Sequence, residues 1–296
     1  MLTRLLLLFT VTIWGWSFVA AKICLDYLTP VELLGLRLLV GLPILLIIIL
    51  VKGISFKFDK PLRLRMLAGS AILTVHFLLQ VTGLKYTSAT NTGWIIAIIP
   101  LVLVVLSCIF LKEKIGRREI FGIAVATIGI VLLISRGDIS SIGGWLSSYG
   151  DWLILASAHT WAIYTVITRD ISRARPPLIV TFVLMVPALF VTLIYMAFTS
   201  DWNRIVAVPA KPLVALLFLG VIALALAHWF WQEGISTIGA YKSGTFLYLE
   251  PIATTCLAVP LLNESFGIYT AVGGILVLAG VYWAQRRQRH SVERDC

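Results

Sequence analysis

Long apolar stretches, separated by short polar connections, fill nearly the whole chain. Each is about 20 residues long, the length that an α-helix needs to cross the hydrocarbon core of a bilayer. The stretches are continuous and lack the alternation of a membrane β-barrel strand, so they predict helices. We predict an all-α polytopic membrane protein with ten transmembrane helices. The predicted spans are residues 4–24, 31–51, 66–84, 91–111, 118–135, 152–168, 177–198, 212–232, 243–262 and 268–285.

The composition agrees with a membrane protein and argues against bound cofactors. Apolar residues make up 59% of the chain and charged residues 13%, which is far from the average of soluble domains. The four histidines are too dispersed to suggest a metal site, and the four cysteines have no metal-binding or redox spacing. The chain also has no phosphate-binding loop of the form G-x-x-x-x-G-K-S/T. We therefore expect no metal, no cofactor and no catalytic residues.

Lysine and arginine are distributed unevenly among the connections. With the N-terminus placed in the cytoplasm, 18 of them fall on the cytoplasmic side and five on the outside. The five outside residues are Lys22, Lys85, Arg136, Arg204 and Lys211. The positive-inside rule then predicts an inner-membrane protein with both termini in the cytoplasm. This topology accounts for the net charge of +10 without nucleic-acid binding, and the basic tail 288–296 is expected to lie near anionic lipid headgroups.

One pattern of residues occurs twice, 151 positions apart. The first copy is Gly83, Ala89, Gly93, Pro100, Glu113, Gly116, Gly122 and Gly129, and the second is Gly234, Ala240, Gly244, Pro251, Glu264, Gly267, Gly273 and Gly280. The front parts of the two copies match more weakly at an offset of 147, where Trp14 corresponds to Trp161 and Pro30 to Pro177. The pattern predicts a duplicated unit of five helices, residues 1–140 and 150–287.

The duplication and the topology together predict a mechanism. Five is an odd number of spans, so the second copy enters the membrane inverted relative to the first. Inverted repeats are the architecture of many alternating-access transporters, in which one half rocks against the other around a central site. The alternative is a duplication that was retained only for packing.

The chain resembles the EamA-type carriers of the drug/metabolite transporter superfamily. The resemblance is carried by residues 14–18, by Pro30 followed by Arg37, by residues 83–100 and 111–114, and by residues 248–251 and 262–264. It covers essentially the whole chain. Related members export amino acids, other metabolites or toxic organic cations, and some take up small solutes. The resemblance therefore implies a transporter of a small-molecule substrate, and we expect an exporter of metabolites such as amino acids. An exporter of organic cations or drugs is the alternative.

The resemblance also implies a central cavity lined by the first, third, fourth, sixth, eighth and ninth helices. Near mid-membrane these helices carry aromatic and polar candidates for substrate binding: Trp14, His76, Gln80, Asn91, Trp94, Trp161, Tyr164 and Tyr248. Aromatic walls with a few amide and imidazole groups suit a small amphipathic solute, or an organic cation held by cation–π contacts. The alternative is that these aromatic residues serve packing or the headgroup belts.

Glu250 is the only acidic residue placed well inside a predicted span. A charge at that depth costs about 2.5–3.5 kcal/mol on insertion scales, so its presence indicates a function. We predict a group that binds a proton or contacts a cation in the cavity. The alternative is a protonated or hydrogen-bonded acid that completes helix packing beside Pro251.

Three further residues are candidates for gating. Arg37 lies in the second span, and a gating or structural role is favoured over substrate binding because the resembled family commonly has Arg there. Pro100 and Pro251 each remove a backbone hydrogen bond from a predicted helix, which predicts a hinge or a tolerated kink. The glycines spaced seven apart in the fifth and tenth spans predict a close-packing seam, within one subunit or between the two subunits of a homodimer.

Two rival classes of protein fit the sequence less well. A channel needs no inverted repeat around an aromatic cavity. An intramembrane enzyme needs paired acids, a nucleophile with its base, or a set of metal ligands within the bilayer, and Glu250 has no acidic partner at its depth. The sequence therefore favours a carrier.

Overall fold

The computed structural model describes residues 1–56, 60–111, 117–135, 137 and 149–285. Glu113 and Gly116 of the first repeat copy and the predicted tail 288–296 lie outside the described residues. The regular structure of the described part is entirely helical, which confirms the predicted all-α class.

The helices follow one another with short connections. The first half contains α1 (Leu2–Leu25), α2 (Pro30–Val51), α3 (Lys60–Tyr86), α4 (Ala89–Ile96), α5 (Ile99–Leu111) and α6 (Arg117–Ser135). The second half contains α7 (Tyr149–Ala174), α8 (Pro177–Thr199), α9 (Trp202–Val206), α10 (Ala210–Leu217), a π-helical segment (Phe218–Leu226), α11 (Ala227–Ile238), α12 (Ala240–Gly244), a 3₁₀ segment (Thr245–Leu249), α13 (Glu250–Leu262) and α14 (Ile268–Gln285). One helix, or a run of two or three consecutive helical segments, therefore covers each predicted span.

Five helical segments of the described chain are long and apolar enough to cross a membrane. They are Leu2–Leu25, Pro30–Val51, Leu62–Tyr86, Pro177–Thr199 and Ala210–Ile238. Shorter apolar helices cover Ala89–Leu103, Ile120–Leu133, Phe246–Leu262 and Ile268–Gly280. Helix α7 belongs to neither group, because its sequence is not apolar enough over the length of a membrane span. The protein is thus a multi-pass membrane protein, and the number of ten crossings stays a prediction.

The start of α2 is fixed by local hydrogen bonds and one ion pair. The Glu32 N–H donates to the Thr29 hydroxyl (3.3 Å), and the Thr29 N–H donates to the Glu32 carboxylate (2.8 Å), which forms a capping box. Arg204 of α9 donates to both oxygens of that carboxylate at 2.6 Å. Pro30 occupies the first helical position, where its missing N–H costs nothing. These contacts fix where α2 begins, seven residues before Arg37.

The predicted glycine seam lies between α6 and α14 of the same chain. A Cβ atom at Gly129 would lie 2.6 Å from the Gly273 carbonyl oxygen, and one at Gly280 would lie 2.5 Å from the Gly122 carbonyl oxygen. The two backbones are therefore in direct contact, an approach that only glycine permits. The predicted seam is found within the subunit.

Other contacts also recur at the repeat offset. Gly83 packs against Ile154, and its counterpart Gly234 packs against Leu7, which is the counterpart of Ile154 at the offset of 147. In the same way, Gly93 packs against Thr254 while Gly244 packs against Leu103. Residues that correspond in sequence thus make corresponding contacts.

Candidate functional site

Two helix breaks lie at corresponding positions of the two sequence copies. Helix α4 ends at Ile96 and α5 begins at Ile99, so that Pro100 is the second residue of α5. A 3₁₀ segment ends at Leu249 and α13 begins at Glu250, so that Pro251 is the second residue of α13. Proline has no N–H and suits the first turn of a helix. Both predicted hinge residues therefore begin a new helix instead of bending a continuous one.

A central cavity opens at these breaks. Ile96 and Ile99 from the first break, and Leu247 and Glu250 from the second, lie on its wall. Each pair corresponds to the other at the offset of 151. The breaks therefore place irregular backbone beside a cavity, which is where such backbone is tolerated at membrane depth.

Aromatic rings form much of the remaining wall. Trp14 of α1 and Trp161 of α7 meet edge to face with ring centroids 5.2 Å apart. His228 lies 4.9 Å from Trp14, and His76 lies 4.9 Å from Trp161. Trp231 packs behind them, 5.2 Å from Trp14, and is fully buried. The rings present a continuous surface that suits an apolar group or a cation.

Hydrogen bonds to backbone carbonyls hold three of these rings in place. The Trp14 indole donates to the Ala223 carbonyl at 3.1 Å. His76 Nδ1 lies 2.9 Å from the Ser157 carbonyl, and His228 Nδ1 lies 3.0 Å from the Ala223 carbonyl. Because a carbonyl only accepts, each Nδ1 carries the proton in these contacts. The wall is therefore built with fixed ring orientations.

Two side chains of opposite charge type also line the cavity. Arg37 is 8% exposed, and its guanidinium carbon lies 4.9 Å above the Phe77 ring. Glu250 is 3% exposed. Nε and Nη2 of Arg37, and Oε2 of Glu250, are buried without a hydrogen-bond partner among the described residues. Buried polar atoms in native proteins almost always have partners, so these three atoms keep unused hydrogen-bonding capacity.

The cavity brings together six of the twelve predicted site residues. They are Trp14, Arg37, His76, Gln80, Trp161 and Glu250. Pro100 and Pro251 lie beside the cavity in the helix breaks and are buried.

The other four predicted residues lie outside the cavity wall. Asn91 donates to Asp151 Oδ1 (2.8 Å), and the Trp94 indole donates to Thr255 Oγ1 (3.1 Å). Tyr164 accepts a hydrogen bond from Gln232 Nε2 at 2.5 Å, and Tyr248 is half-buried outside the lining set. The sequence prediction omitted His228, although it follows His76 by 152 residues, one position from the repeat offset.

A helical membrane protein with a central aromatic and charged cavity has the architecture of a solute transporter. The model of the EamA-like transporter family matches residues 1–135 and 148–285. The chain belongs to this family and is a transporter, not an enzyme.

Named relatives are similar along almost their whole length. An uncharacterized transporter of Archaeoglobus fulgidus is 29% identical over 295 residues, which are 97% of this chain and 98% of that protein. The uncharacterized transporter YyaM of Bacillus subtilis is 30% identical over 277 residues, 91% of this chain and 89% of the relative. A protein of Salmonella typhimurium named "Probable amino-acid metabolite efflux pump" is 25% identical over 286 residues, 94% and 92% of the two chains.

The fold also matches a solved structure. That crystal structure superposes with a TM-score of 0.70 at 20% identity and covers 95% of this chain and 97% of its own. The likeness shows that the helical arrangement is shared.

Proposed function

We propose that the protein is a secondary transporter that exports small metabolites such as amino acids by alternating access. The observation that carries the proposal is the central cavity, which lies where two corresponding helix breaks meet. Discontinuous helices at the interface of two repeats form the substrate sites of many transporters. The residues proposed to contact substrate are Trp14, His76, Gln80, Trp161 and Glu250, with Arg37 beside them.

Recurring contacts support two inverted five-helix repeats, residues 1–140 and 150–287. The pairs Gly83–Ile154 and Gly234–Leu7 correspond, and Trp14 and Trp161 correspond to each other at the cavity. Such pairs are expected of two halves related by an internal two-fold axis. Rocking about that axis would expose the cavity to either side, with Pro100 and Pro251 as hinges.

The proposed direction of transport rests on a named relative, and the proposed membrane location rests on the distribution of Lys and Arg. The Salmonella relative's name includes efflux of amino-acid metabolites, which favours export. The bias of Lys and Arg favours an inner-membrane protein with both termini in the cytoplasm.

The alternative substrate class is an organic cation or drug. The aromatic wall and Glu250 favour it, because both attract a cation. Arg37 opposes it, because a guanidinium in the same cavity repels a cation.

Counterflow in proteoliposomes tests the proposal. Liposomes containing the protein are preloaded with unlabelled amino acids, other metabolites or organic cations, and uptake of each labelled solute is measured with and without a pH gradient. A carrier gives saturable uptake that is stimulated by solute on the opposite side, whereas a channel does not saturate in this way. No counterflow for any solute, in protein shown to be folded, would contradict the proposal.

The variant Glu250→Gln extends the test to coupling, with Glu233→Gln as its control. Glu233 lies on α11 and does not line the cavity. If Glu250→Gln loses gradient-driven flux and retains counterflow, Glu250 is a proton site. If Glu250→Gln loses both gradient-driven flux and counterflow, Glu250 contacts the substrate. If both are unchanged, Glu250 serves helix packing.

A further inference from the structure

We propose that the start of α6 and the end of α14 together bind the headgroup of an anionic phospholipid. The site is a second cavity, whose described lining consists of Arg117, Arg118, Phe121 and Trp283. None of these four residues lines the central cavity. The proposal goes beyond the carrier function and does not depend on it.

The glycine seam brings the aromatic part of this lining together. At one end of the seam, the backbones of Gly122 on α6 and Gly280 on α14 are in contact. Phe121 precedes Gly122, and Trp283 follows Gly280 by three residues. The two rings meet with centroids 5.0 Å apart. This end of the seam therefore carries an aromatic pair, with one ring from each half of the chain.

Two arginines lie beside the aromatic pair. Arg117 and Arg118 precede Phe121 on α6 by four and three residues, so both are surface neighbours of its side chain. Both arginines are exposed, and neither forms an ion pair with an acidic side chain that the structure describes. The described lining also contains no acidic residue. Two positive charges thus lie on this wall without a described counterion.

An apolar face of α6 runs from the second cavity toward the middle of the helix. Phe121 is 53% exposed and Ile128 is 59% exposed, and Ala124 between them is exposed as well. The three positions are spaced by three and four residues and therefore share one helix face. Phe121 and Ile128 lie about 10 Å apart along the helix axis, compared with about 15 Å for the hydrocarbon of one leaflet. The face can therefore hold an acyl chain whose headgroup lies at the arginines.

A phosphodiester supplies the charge that the arginines lack. Guanidinium groups bind phosphate oxygens through paired hydrogen bonds, and tryptophan favours the depth of the headgroups, which suits Trp283. The choline of a zwitterionic lipid carries a cation that the arginines repel. The predicted topology places the start of α6 on the cytoplasmic side, where the leaflet is negatively charged. An anionic phospholipid therefore matches both the charge and the apolar face.

Native mass spectrometry of the full chain in detergent measures the lipid selectivity. The protein is incubated with equimolar phosphatidylglycerol and phosphatidylcholine that carry identical acyl chains. We expect the wild-type protein to retain about tenfold more phosphatidylglycerol, and equal retention of the two lipids would overturn the proposal. Inorganic phosphate and sn-glycerol 3-phosphate are then added at the concentration of the lipid. Displacement of phosphatidylglycerol by either would assign the site to a soluble anion and overturn the lipid proposal.

Arginine variants test whether the selectivity arises at this cavity. We expect Arg117→Gln and Arg118→Gln each to lower the affinity for phosphatidylglycerol about fivefold, and the double variant about 25-fold. The affinity for phosphatidylcholine should stay within about twofold. The control is Arg65→Gln, because Arg65 lies on α3 in an exposed ion pair with Asp170. A preference that persists in the double variant, or that falls equally in Arg65→Gln, would overturn the assignment.

Fluorescence quenching locates the bound lipid and does not require an arginine variant to fold. Phospholipids with brominated acyl chains quench the tryptophans that they contact. We expect Trp283→Phe to remove part of the quenching by brominated phosphatidylglycerol and to leave the quenching by brominated phosphatidylcholine unchanged. The control is Trp202→Phe, since Trp202 is 46% exposed on α9 and does not line the second cavity. It should affect the quenching by both lipids equally.

The outcomes separate this proposal from the carrier function. Equal quenching of Trp283 by the two brominated lipids would overturn the lipid site, whatever the protein transports. Neither lipid measurement requires transport, so wild-type protein without counterflow for any solute would contradict only the carrier function.

Discussion

Trp14 and Trp161 meet edge to face at the central cavity, with ring centroids 5.2 Å apart and ring planes at 89°. They are 147 positions apart, which is the offset that relates the front parts of the two repeats. Each ring also lies 4.9 Å from a histidine ring, His228 for Trp14 and His76 for Trp161. Corresponding residues of the two halves thus form one wall, while Arg37 and Glu250 have apolar counterparts in the other copy.

Replacing Trp161 tests whether this wall contacts substrate. We expect Trp161→Ala to weaken substrate affinity about tenfold, because it removes one face of the wall, and Trp161→Phe to retain most of it. The measurement is the half-saturation concentration of counterflow. The matched control is Trp94→Phe, which removes the hydrogen bond to Thr255 outside the cavity. Trp94→Phe should lower thermal stability and leave the half-saturation concentration unchanged. A larger loss of substrate affinity in Trp94→Phe than in Trp161→Ala would contradict the placement of Trp161 at the substrate site.

The glycine seam makes a prediction about stability. A methyl group at Gly280 would meet the Gly122 carbonyl oxygen at 2.5 Å and the Ala126 backbone nitrogen at 2.6 Å. Backbone atoms cannot move aside as a side chain does, so α6 and α14 would have to separate. We expect Gly280→Ala to destabilise the protein by about 1–3 kcal/mol, measured as a lower midpoint of thermal unfolding in detergent.

Gly267→Ala is the control for the seam. Gly267 also belongs to the repeat pattern, but a Cβ atom there meets no atom within 4 Å. Its substitution should leave the unfolding midpoint within experimental error. If Gly280→Ala and Gly267→Ala have equal midpoints, close packing at the seam does not contribute to stability.

The sequence was sufficient to predict the helices, but it predicted only some of the residues that line the cavity. Length and apolarity predict a helix from local residues alone, and helices indeed cover all ten predicted segments. A spacing of three or four shows that two residues share a helix face, but it does not show which neighbour that face meets. Asn91 and Trp94 share a face of α4, and that face meets Asp151 of α7 and Thr255 of α13.

The repeat contains more information about the site than residue type does. The sequence analysis considered His228 only as one of four histidines too dispersed for a metal site, yet it follows His76 by 152 residues, one position from the repeat offset. A gating or structural role was expected for Arg37, and only three-dimensional packing shows it buried on the wall of the same cavity as Glu250. Whether these residues contact substrate stays a prediction for the experiments above.

Glu264 tests how the connection before α14 supports α4. Its carboxylate accepts the N–H groups of Ala89 and Thr90 at 2.7 and 2.8 Å, at the start of α4. A carboxylate there satisfies free backbone donors and complements the positive end of the helix dipole. We expect Glu264→Gln to lower stability by about 1 kcal/mol and Glu264→Ala by more. Thermal unfolding in detergent measures both, and Glu233→Gln should show no change.

The prolines at the helix breaks make the last prediction, which concerns turnover. Alanine at Pro100 or Pro251 would restore a backbone donor, which can bond the carbonyl of Ile96 or Leu247 on the cavity wall. The break would then become more helical and stiffer. We expect Pro100→Ala and Pro251→Ala each to lower the maximal counterflow rate several-fold without loss of thermal stability, because hinge changes act on conformational steps. Pro43→Ala is the control, since Pro43 lies inside α2 on an exposed face. An equal loss of rate in Pro43→Ala would show that any proline in the bundle affects turnover and that the breaks have no special role.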